Sequence, residues 1–177
     1  PCDAVEAAEC WQLAVTNRHH PSAIVNSRQP LKTLRKAYSE ENLCAKGAYI
    51  LADSEGGARR ATIFATGSEV AVALEARETL QAAGVPTAVI SVPCWELFWE
   101  QEADYRAAVI GRGTARVAVE AATRLGWERF VGEDGGIVGM IAFLCLIFLR
   151  NRPADLGLAI PGEIDGGAGA RDAKATT

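Results

Sequence analysis

The stretch Ala61 to Ala83, ATIFATGSEVAVALEARETLQAA, joins a β-branched apolar run, a Gly-Ser turn and a helical pattern. Apolar residues of its second half recur at steps of three and four, which places on one helix face Val70, Ala73, Ala76, Leu80 and Ala83. Ser68 is expected to cap this helix and Gly84 to end it. A second apolar run, Thr87 to Val92, follows, so the unit is βαβ with parallel strands. The stretch therefore predicts an α/β fold.

Length and composition limit the possible classes of protein. The 177 residues allow one domain and a fragment of another, and 49% hydrophobic with 23% charged residues is a globular composition. The net charge of −4 argues against nucleic acid as a main partner. Five scattered cysteines, an odd number without a CxxC pair, suggest reduced thiols in a cytoplasmic protein, and no secretory signal opens the sequence.

The first 30 residues predict a piece of a domain. Asp3 and Glu6 form a D-x-x-E capping pattern for a helix over residues 3 to about 16, with an apolar face of Val5, Ala8, Trp11 and Val15. Residues Ser22 to Asn26 are expected to form a short buried strand. One helix and one strand cannot close a core, so residues 1–30 are interpreted as a remnant of another domain.

The remaining elements follow in order. Residues 31–46 are expected to be a solvated linker, and 47–51 a strand that runs antiparallel in direction to its successor. Residues 93–101 form a loop or short helix rich in aromatic residues. Further helices are predicted over 105–110 and 125–131, the latter with Trp127 and Phe130 facing inward, and further strands over 115–121 and 137–140.

Several ordered motifs resemble one family. ATGSEV (65–70), VPCWELF (92–98) and RVAVEA (116–121) resemble, in order and spacing, the C-terminal domain of transketolase. DAVEAAECW (3–11), SRQPL (27–31) and ENL (41–43) resemble the end of its middle, pyrimidine-binding domain and the following linker. The resemblance covers residues 1 to about 140 and assigns 47–140 to the C-terminal domain. It implies a three-layer α/β/α domain with a mixed, mostly parallel five-stranded sheet of order 1-3-2-4-5, strand 1 antiparallel.

The resemblance also implies a function. Transketolases transfer a two-carbon ketol unit between sugar phosphates in the pentose phosphate pathway or the Calvin cycle, as homodimers. They use thiamine diphosphate and a divalent cation, magnesium or calcium. The family's metal ligands, activating glutamate and catalytic histidines match no part of this sequence, so the chain alone is expected to be inactive and to bind neither cofactor. The competing interpretation is a non-catalytic α/β binding or scaffold module that uses Ser68 or the loop at Trp95.

Arg28 is the single substrate-binding candidate. In the Ser27-Arg28-Gln29 motif, the resemblance implies that this arginine contacts the substrate phosphate, because a planar guanidinium can meet two phosphate oxygens at once. Without the resemblance, a surface arginine at a strand end would be the preferred interpretation.

Other polar residues favour structural interpretations. Gly67-Ser68 lacks a phosphate-loop pattern and is interpreted as a capped helix start, Glu133-Asp134 as a solvated turn, and His19-His20 as a helix end without metal partners. Cys94 has no histidine after it and is interpreted as a buried small hydrophobe. The aromatic residues of the same loop are assigned to core and interface: Trp95, Phe98 and Trp99.

The sequence departs from the family pattern after Met140. Residues 141–149 form an apolar run, and 157–177 are rich in Gly, Ala and Asp, a join that a frameshift would produce. Residues 137–149 are too short for the roughly 20 residues that a membrane span needs, so no membrane role is expected. We expect residues 157–177 to be disordered and a chain ending at Met140 to be more soluble.

Overall fold

A five-stranded sheet in the order β1-β3-β2-β4-β5 forms the centre of the structure, a computed structural model that describes residues 1–36, 38–121 and 123–139. The strands are β1 (Tyr49–Ala52), β2 (Ala61–Ala65), β3 (Thr87–Ser91), β4 (Ala115–Glu120) and β5 (Gly136–Gly139). β1 pairs antiparallel with β3, and all other neighbours are parallel. This arrangement confirms the predicted α/β class, the strand order and the direction of the first strand.

Helices cover both faces of the sheet, as a parallel sheet requires. They are α1 (Ala4–Thr16), α2 (Glu69–Ala82), α3 (Trp95–Trp99), α4 (Ala103–Ile110) and α5 (Glu128–Val131), with a 3₁₀ turn at Leu43–Lys46. The result is the expected three-layer α/β/α architecture.

Two cores lie on opposite faces because side chains alternate along each strand. In β2, Phe64 faces one core, whereas Ile63 and Ala65 face the other. The first core is largely aromatic and includes Phe64, Phe98, Trp127 and Phe130, with Trp95 and Trp99 packed against it. The second core is aliphatic and packs against α2. The inward predictions for Phe130 of α5 and for Trp127, which directly precedes this helix, are both confirmed.

The central β2-α2-β3 unit has the predicted order, but its helix begins differently. Ser68 has helical backbone angles and makes no capping bond; its Oγ donates to Glu69 Oε1 at 3.1 Å. The N–H groups of Glu69 and Val70 donate instead to the carbonyls of Thr66 and Gly67. The predicted Ser68 cap is therefore wrong, because the turn before the helix already satisfies these donors. The helix ends at Ala82 and leaves Ala83 exposed.

Two predictions for the first 46 residues are wrong. Residues 22–26 form no strand and are mostly exposed, with Val25 84% exposed. No strand in the described part of the chain pairs with them, so their backbone has no ladder to join. The segment 31–46 is not simply solvated, because it lies against α1 and buries the Arg35 side chain to 8% exposure.

The predictions for residues 140–177 lie outside the described residues. Within the described ranges, no helix is both long and apolar enough to cross a membrane.

Candidate functional site

A buried polar cluster joins the N-terminal helix to the sheet, with Glu6 at its centre. Glu6 is 0% exposed. Its Oε2 accepts a hydrogen bond from the backbone N–H of Cys2 at 2.7 Å, and its Oε1 accepts from the hydroxyls of Tyr49 at 2.8 Å and Ser91 at 2.5 Å. These bonds tie α1 to the two strands β1 and β3.

The sheet register explains why two hydroxyls meet one carboxyl group. Tyr49 of β1 and Ser91 of β3 are directly paired across the antiparallel ladder. Burial, together with the charge of Glu6, raises the pKa of the Tyr49 hydroxyl and of the Cys2 thiol. Both groups therefore stay protonated, which suits the tyrosine hydroxyl to donate and makes it a poor general base.

Asp3 caps α1, as the D-x-x-E pattern predicts. Its Oδ1 accepts from the N–H of Glu6 at 2.9 Å, and its Oδ2 accepts from the N–H groups of Leu34 at 2.9 Å and Arg35 at 3.2 Å. Burial would raise the pKa of Asp3, but these backbone donors hold it below its ordinary value. The cap thus also holds the linker. Glu6 differs from the glutamate of a standard capping box, because its side chain accepts from the backbone N–H of Cys2 rather than from that of Asp3.

A second contact fixes the linker to α1. The Arg35 guanidinium donates from Nη2 to Glu9 Oε1 and lies 5.5 Å from the centre of the Tyr49 ring. Burial alone would lower the pKa of Arg35. The hydrogen bond with Glu9 has the opposite effect, and the pKa lies above its ordinary value. The other oxygen of Glu9 accepts from the N–H of Cys44 at 3.1 Å. Glu9 therefore bridges two parts of the segment that was expected to be solvated.

Arg28 lies in an exposed bend after α1. In this bend, Ser27 Oγ accepts from the N–H of Gln29 at 3.2 Å. No carboxylate in the described part of the chain forms an ion pair with Arg28. Its guanidinium is accessible, and outside its own motif the structure brings it together with no other candidate residue among those it describes.

The predicted apolar face of α1 points outward. Trp11 is 57% and Val15 69% exposed, and Ala8 is exposed as well, whereas Val5 is partly buried. The side packed on the domain is polar and centres on Glu6. The predicted residues thus share a face, but this face is not covered in the described structure.

The remaining polar candidates lie in a turn and a bend. Glu133 and Asp134 are exposed, and Asn17 Nδ2 lies 2.8 Å from the ring Nδ1 of His20. No group of three or more His, Cys, Asp or Glu residues able to hold a metal ion occurs among the described residues.

The loop after β3 confirms the predicted core role of its aromatic residues, whereas the prediction that Cys94 is buried is wrong. Phe98 is fully buried, and the ring of Trp95 lies 5.0 Å from that of Trp127, centre to centre. Cys94 is only half-buried, with Sγ 3.4 Å from Glu96 Oε2. Burial raises the pKa of the Cys94 thiol, which disfavours a nucleophilic role.

No pattern in the sequence predicts the hydrogen-bond partners of Glu6 and Glu9. Arg35 is 26 positions from Glu9, and Ser91 is 85 positions from Glu6. No motif spacing relates residues so far apart. The only local signal was the D-x-x-E pattern, which located Asp3 and Glu6 but not what they would hold.

Comparison with known proteins agrees with this geometry. Residues 47–143 match the sequence model of the transketolase-like TK C-terminal domain. The transketolase of Cereibacter sphaeroides is 51% identical over 143 residues, which are 81% of this chain and 21% of that protein. The transketolase of Sinorhizobium medicae is 49% identical over 144 residues, with 81% and 20% covered. The solved transketolase of Campylobacter jejuni superposes with a TM-score of 0.68 at 34% identity, covering 78% of this chain and 20% of that one.

The geometry thus defines the class of protein. It is a three-layer domain with a mixed, mostly parallel sheet and an accessory N-terminal helix. The chain belongs to the transketolase C-terminal domain family. It spans about a fifth of the length of the curated relatives that it matches.

Proposed function

We propose that this chain is the C-terminal part of a transketolase, an enzyme that transfers a two-carbon ketol unit between sugar phosphates. The observation that carries the proposal is the extent of the similarity. The alignment with the Cereibacter transketolase covers 81% of the chain, more than residues 47–143 alone, so it includes flanking residues as well as the domain.

A related structure supports the proposed substrate class. Pichia stipitis transketolase, 28% identical with a TM-score of 0.68 over 78% of this chain, has been solved in complex with sedoheptulose-7-phosphate. A sugar phosphate is therefore the proposed substrate of the whole enzyme. The proposed site for its phosphate is the exposed guanidinium of Arg28, whose planar fork suits two phosphate oxygens.

We assign residues 1–30 to the end of a preceding middle domain, 31–46 to a linker, 47–140 to the C-terminal domain and 141–177 to a divergent tail. The outward apolar face of α1 supports the first assignment. Trp11 and Val15 are exposed here and suit coverage by another part of the enzyme. Glu6 holds the helix on the sheet, while Asp3 and Glu9 hold it against residues 34–44.

Thiamine diphosphate, when bound, would supply the stabilised carbanion that ketol transfer requires, with magnesium or calcium holding its diphosphate. No group of three or more possible metal ligands occurs among the described residues. Because the family's metal ligands, activating glutamate and catalytic histidines match no part of this sequence, we assign cofactor binding to other parts of a homodimeric, cytoplasmic enzyme. The role of this chain is packing support and contact with the substrate phosphate.

The test is Arg28→Ala in a complete transketolase that carries this segment. Losing a charge-assisted contact of about 1.5 to 3 kcal/mol should raise the KM for phosphorylated sugars about ten- to a hundredfold. The KM for an unphosphorylated acceptor should change little. Steady-state kinetics with both substrate types measure this difference.

Arg112→Ala is the matched control, since Arg112 is an exposed arginine in a turn of the C-terminal domain. It should leave both KM values unchanged. Equal losses on both substrate types in Arg28→Ala would mean that Arg28 is structural and would contradict its proposed role.

A further inference from the structure

The segment that carries Arg28 forms a loop that returns to the helix it leaves. It departs from the end of α1 at Thr16, and at Leu34 it is hydrogen-bonded to the N-cap of the same helix. Most residues between these two points are exposed, and Arg28 is one of them. The attachments at the two ends of the loop therefore limit where the Arg28 guanidinium can reach.

Two carboxyl groups of the α1 segment hold the returning end of the loop. Asp3 Oδ2 accepts from the N–H groups of Leu34 at 2.9 Å and Arg35 at 3.2 Å. The guanidinium of Arg35 donates to Glu9 Oε1, and the Leu34 side chain packs against the aliphatic core. These two residues, Leu34 and Arg35, are the anchor of the loop.

The ion pair with Glu9 is central to the anchor because the Arg35 side chain is buried. Its Nε and Nη1 atoms are enclosed and have no hydrogen-bond partner among the described residues, whereas Nη2 is bonded to Glu9. A guanidinium that is buried without a carboxylate partner is costly. The position of Arg35 therefore depends on Glu9, and the anchor depends on both carboxyl groups.

The anchor lies close to Arg28 along the chain. Six positions separate Arg28 from Leu34, which is at most about 20 Å of extended chain. Among the described residues, the next hydrogen bond to α1 comes from Asn42, 14 positions from Arg28, whose Nδ2 donates to the carbonyl of Glu9 at 3.1 Å. Without the anchor, the chain that tethers Arg28 on this side would be more than twice as long.

The length of the tether affects binding. The effective concentration of a tethered group falls roughly as the −3/2 power of the tether length. Since the other end of the loop stays joined to α1, loss of the anchor should lower the local concentration of the guanidinium about two- to fourfold.

We propose that Asp3 and Glu9 are positioning residues that act through the anchor to hold Arg28 at the substrate phosphate. Neither carboxyl group contacts the substrate. Both shorten the chain on which the guanidinium is carried, so the segment after α1 takes part in substrate binding. This inference rests on the proposed phosphate contact of Arg28 and adds the residues that make the contact effective.

The first test lengthens the tether without changing the anchor. Eight Gly and Ser residues are inserted between Lys32 and Thr33, which are both exposed, in a complete transketolase that carries this segment. The KM for phosphorylated sugars should rise about two- to fourfold. The kcat and the KM for an unphosphorylated acceptor should stay unchanged, because only ground-state phosphate binding is weakened. The same insertion between Gly56 and Gly57, in an exposed turn, is the control and should change neither KM.

The second test releases the anchor at unchanged chain length, by Asp3→Asn combined with Arg35→Leu. Asparagine is still able to cap α1, but it has one carbonyl oxygen and an NH₂ group and cannot accept on both sides. The KM for phosphorylated sugars should again rise about two- to fourfold at unchanged kcat. In the 177-residue chain, the N–H group of Leu34 should exchange with solvent faster, while that of Val89 in β3 stays slow.

Asp134→Asn combined with Arg112→Leu is the matched control for the release, because it makes the same chemical changes at two exposed turn residues. It should leave both KM values and both exchange rates unchanged. If the release variant does not fold, the insertion decides alone.

A background of Arg28→Ala separates the possible outcomes. Neither the insertion nor the release should raise the KM further in this background, because the anchor acts through Arg28. An equal rise in this background would overturn the positioning role. The same holds if both variants leave the KM unchanged while Arg28→Ala raises it. If Arg28→Ala itself changes nothing, the proposed phosphate contact is wrong, and this inference falls with it.

Discussion

At the scale of single residues, Glu6 shows how a carboxyl group is accommodated at 0% exposure. Burying a carboxyl group is costly unless its oxygens are hydrogen-bonded. Here one oxygen is bonded to the N–H of Cys2 and the other to the hydroxyls of Tyr49 and Ser91. The group thus links three separate segments of the chain.

Replacing Glu6 with Ala should lower the free energy of unfolding by about 3 to 5 kcal/mol, because it leaves three donors without an acceptor in a closed site. Tyr49→Phe, which removes one donor only, should cost about 1 to 2 kcal/mol. Urea unfolding followed by tryptophan fluorescence measures both changes.

Glu78→Ala is the control, because Glu78 is exposed on α2. It should change the free energy of unfolding by less than about 0.5 kcal/mol. If Glu6→Ala behaved like this control, Glu6 would not be the anchor of α1.

At the scale of elements, the 3₁₀ turn, β1 and α3 meet at Gly47. Gly47 has φ +76°, and a Cβ added there would lie 2.2 Å from the backbone N of Phe98 and 2.4 Å from the carbonyl oxygen of Cys94. The backbone N–H of Cys94 also donates to the Gly47 carbonyl at 2.9 Å. Only a residue without a side chain permits this approach between the turn and α3.

Gly84 offers a matched comparison at the end of α2. It has the same φ of +76°, but a Cβ added there would meet nothing within 4 Å. The two glycines therefore share the left-handed conformation and differ only in their surroundings.

Gly84→Ala should lower the free energy of unfolding by about 1 kcal/mol, because the Cβ of alanine disfavours the left-handed conformation. Gly47→Ala should cost at least about 3 kcal/mol, since the fixed backbone of α3 must also move. Chemical denaturation of both variants tests the difference. Equal costs would show that close packing at Gly47 is not what requires the glycine.

At the scale of the whole molecule, α1 is oriented contrary to its apolar pattern. Its polar side faces the sheet through Glu6, while Trp11 and Val15 face outward. Exposed apolar surface of this kind is typical of contact with another part of a protein. It fits the proposal that the helix supports two domains of a larger enzyme.

Two tryptophans test this orientation. Trp11 is 57% and Trp127 1% exposed. Trp11→Ala should lower the free energy of unfolding of the chain by less than about 1 kcal/mol, whereas Trp127→Ala should lower it by about 3 to 5 kcal/mol. Thermal and urea unfolding measure both. A large loss in Trp11→Ala would mean that this face is packed within the chain itself.

Much of the α/β domain was predictable because its signals are local. The β-branched apolar run at residues 61–65, the helical spacing after Ser68 and the glycine at 84 that follows the helix depend on neighbours within a few positions. The same holds for Asp3, whose capping bond spans three residues. Strand order was different, because it came from the family resemblance and not from the residues themselves.

The sequence alone determined the βαβ unit, the cap at Asp3 and the direction of the first strand, since short-range periodicity and connection length decide these features. Only the tertiary structure decided what each surface meets. Residues 22–26 have strand propensity but no partner strand among the described residues. The carboxyl group of Glu6 is buried because Tyr49 and Ser91, 43 and 85 positions away, converge on it. Burial depends on residues distant in the chain, and local spacing carries no information about them.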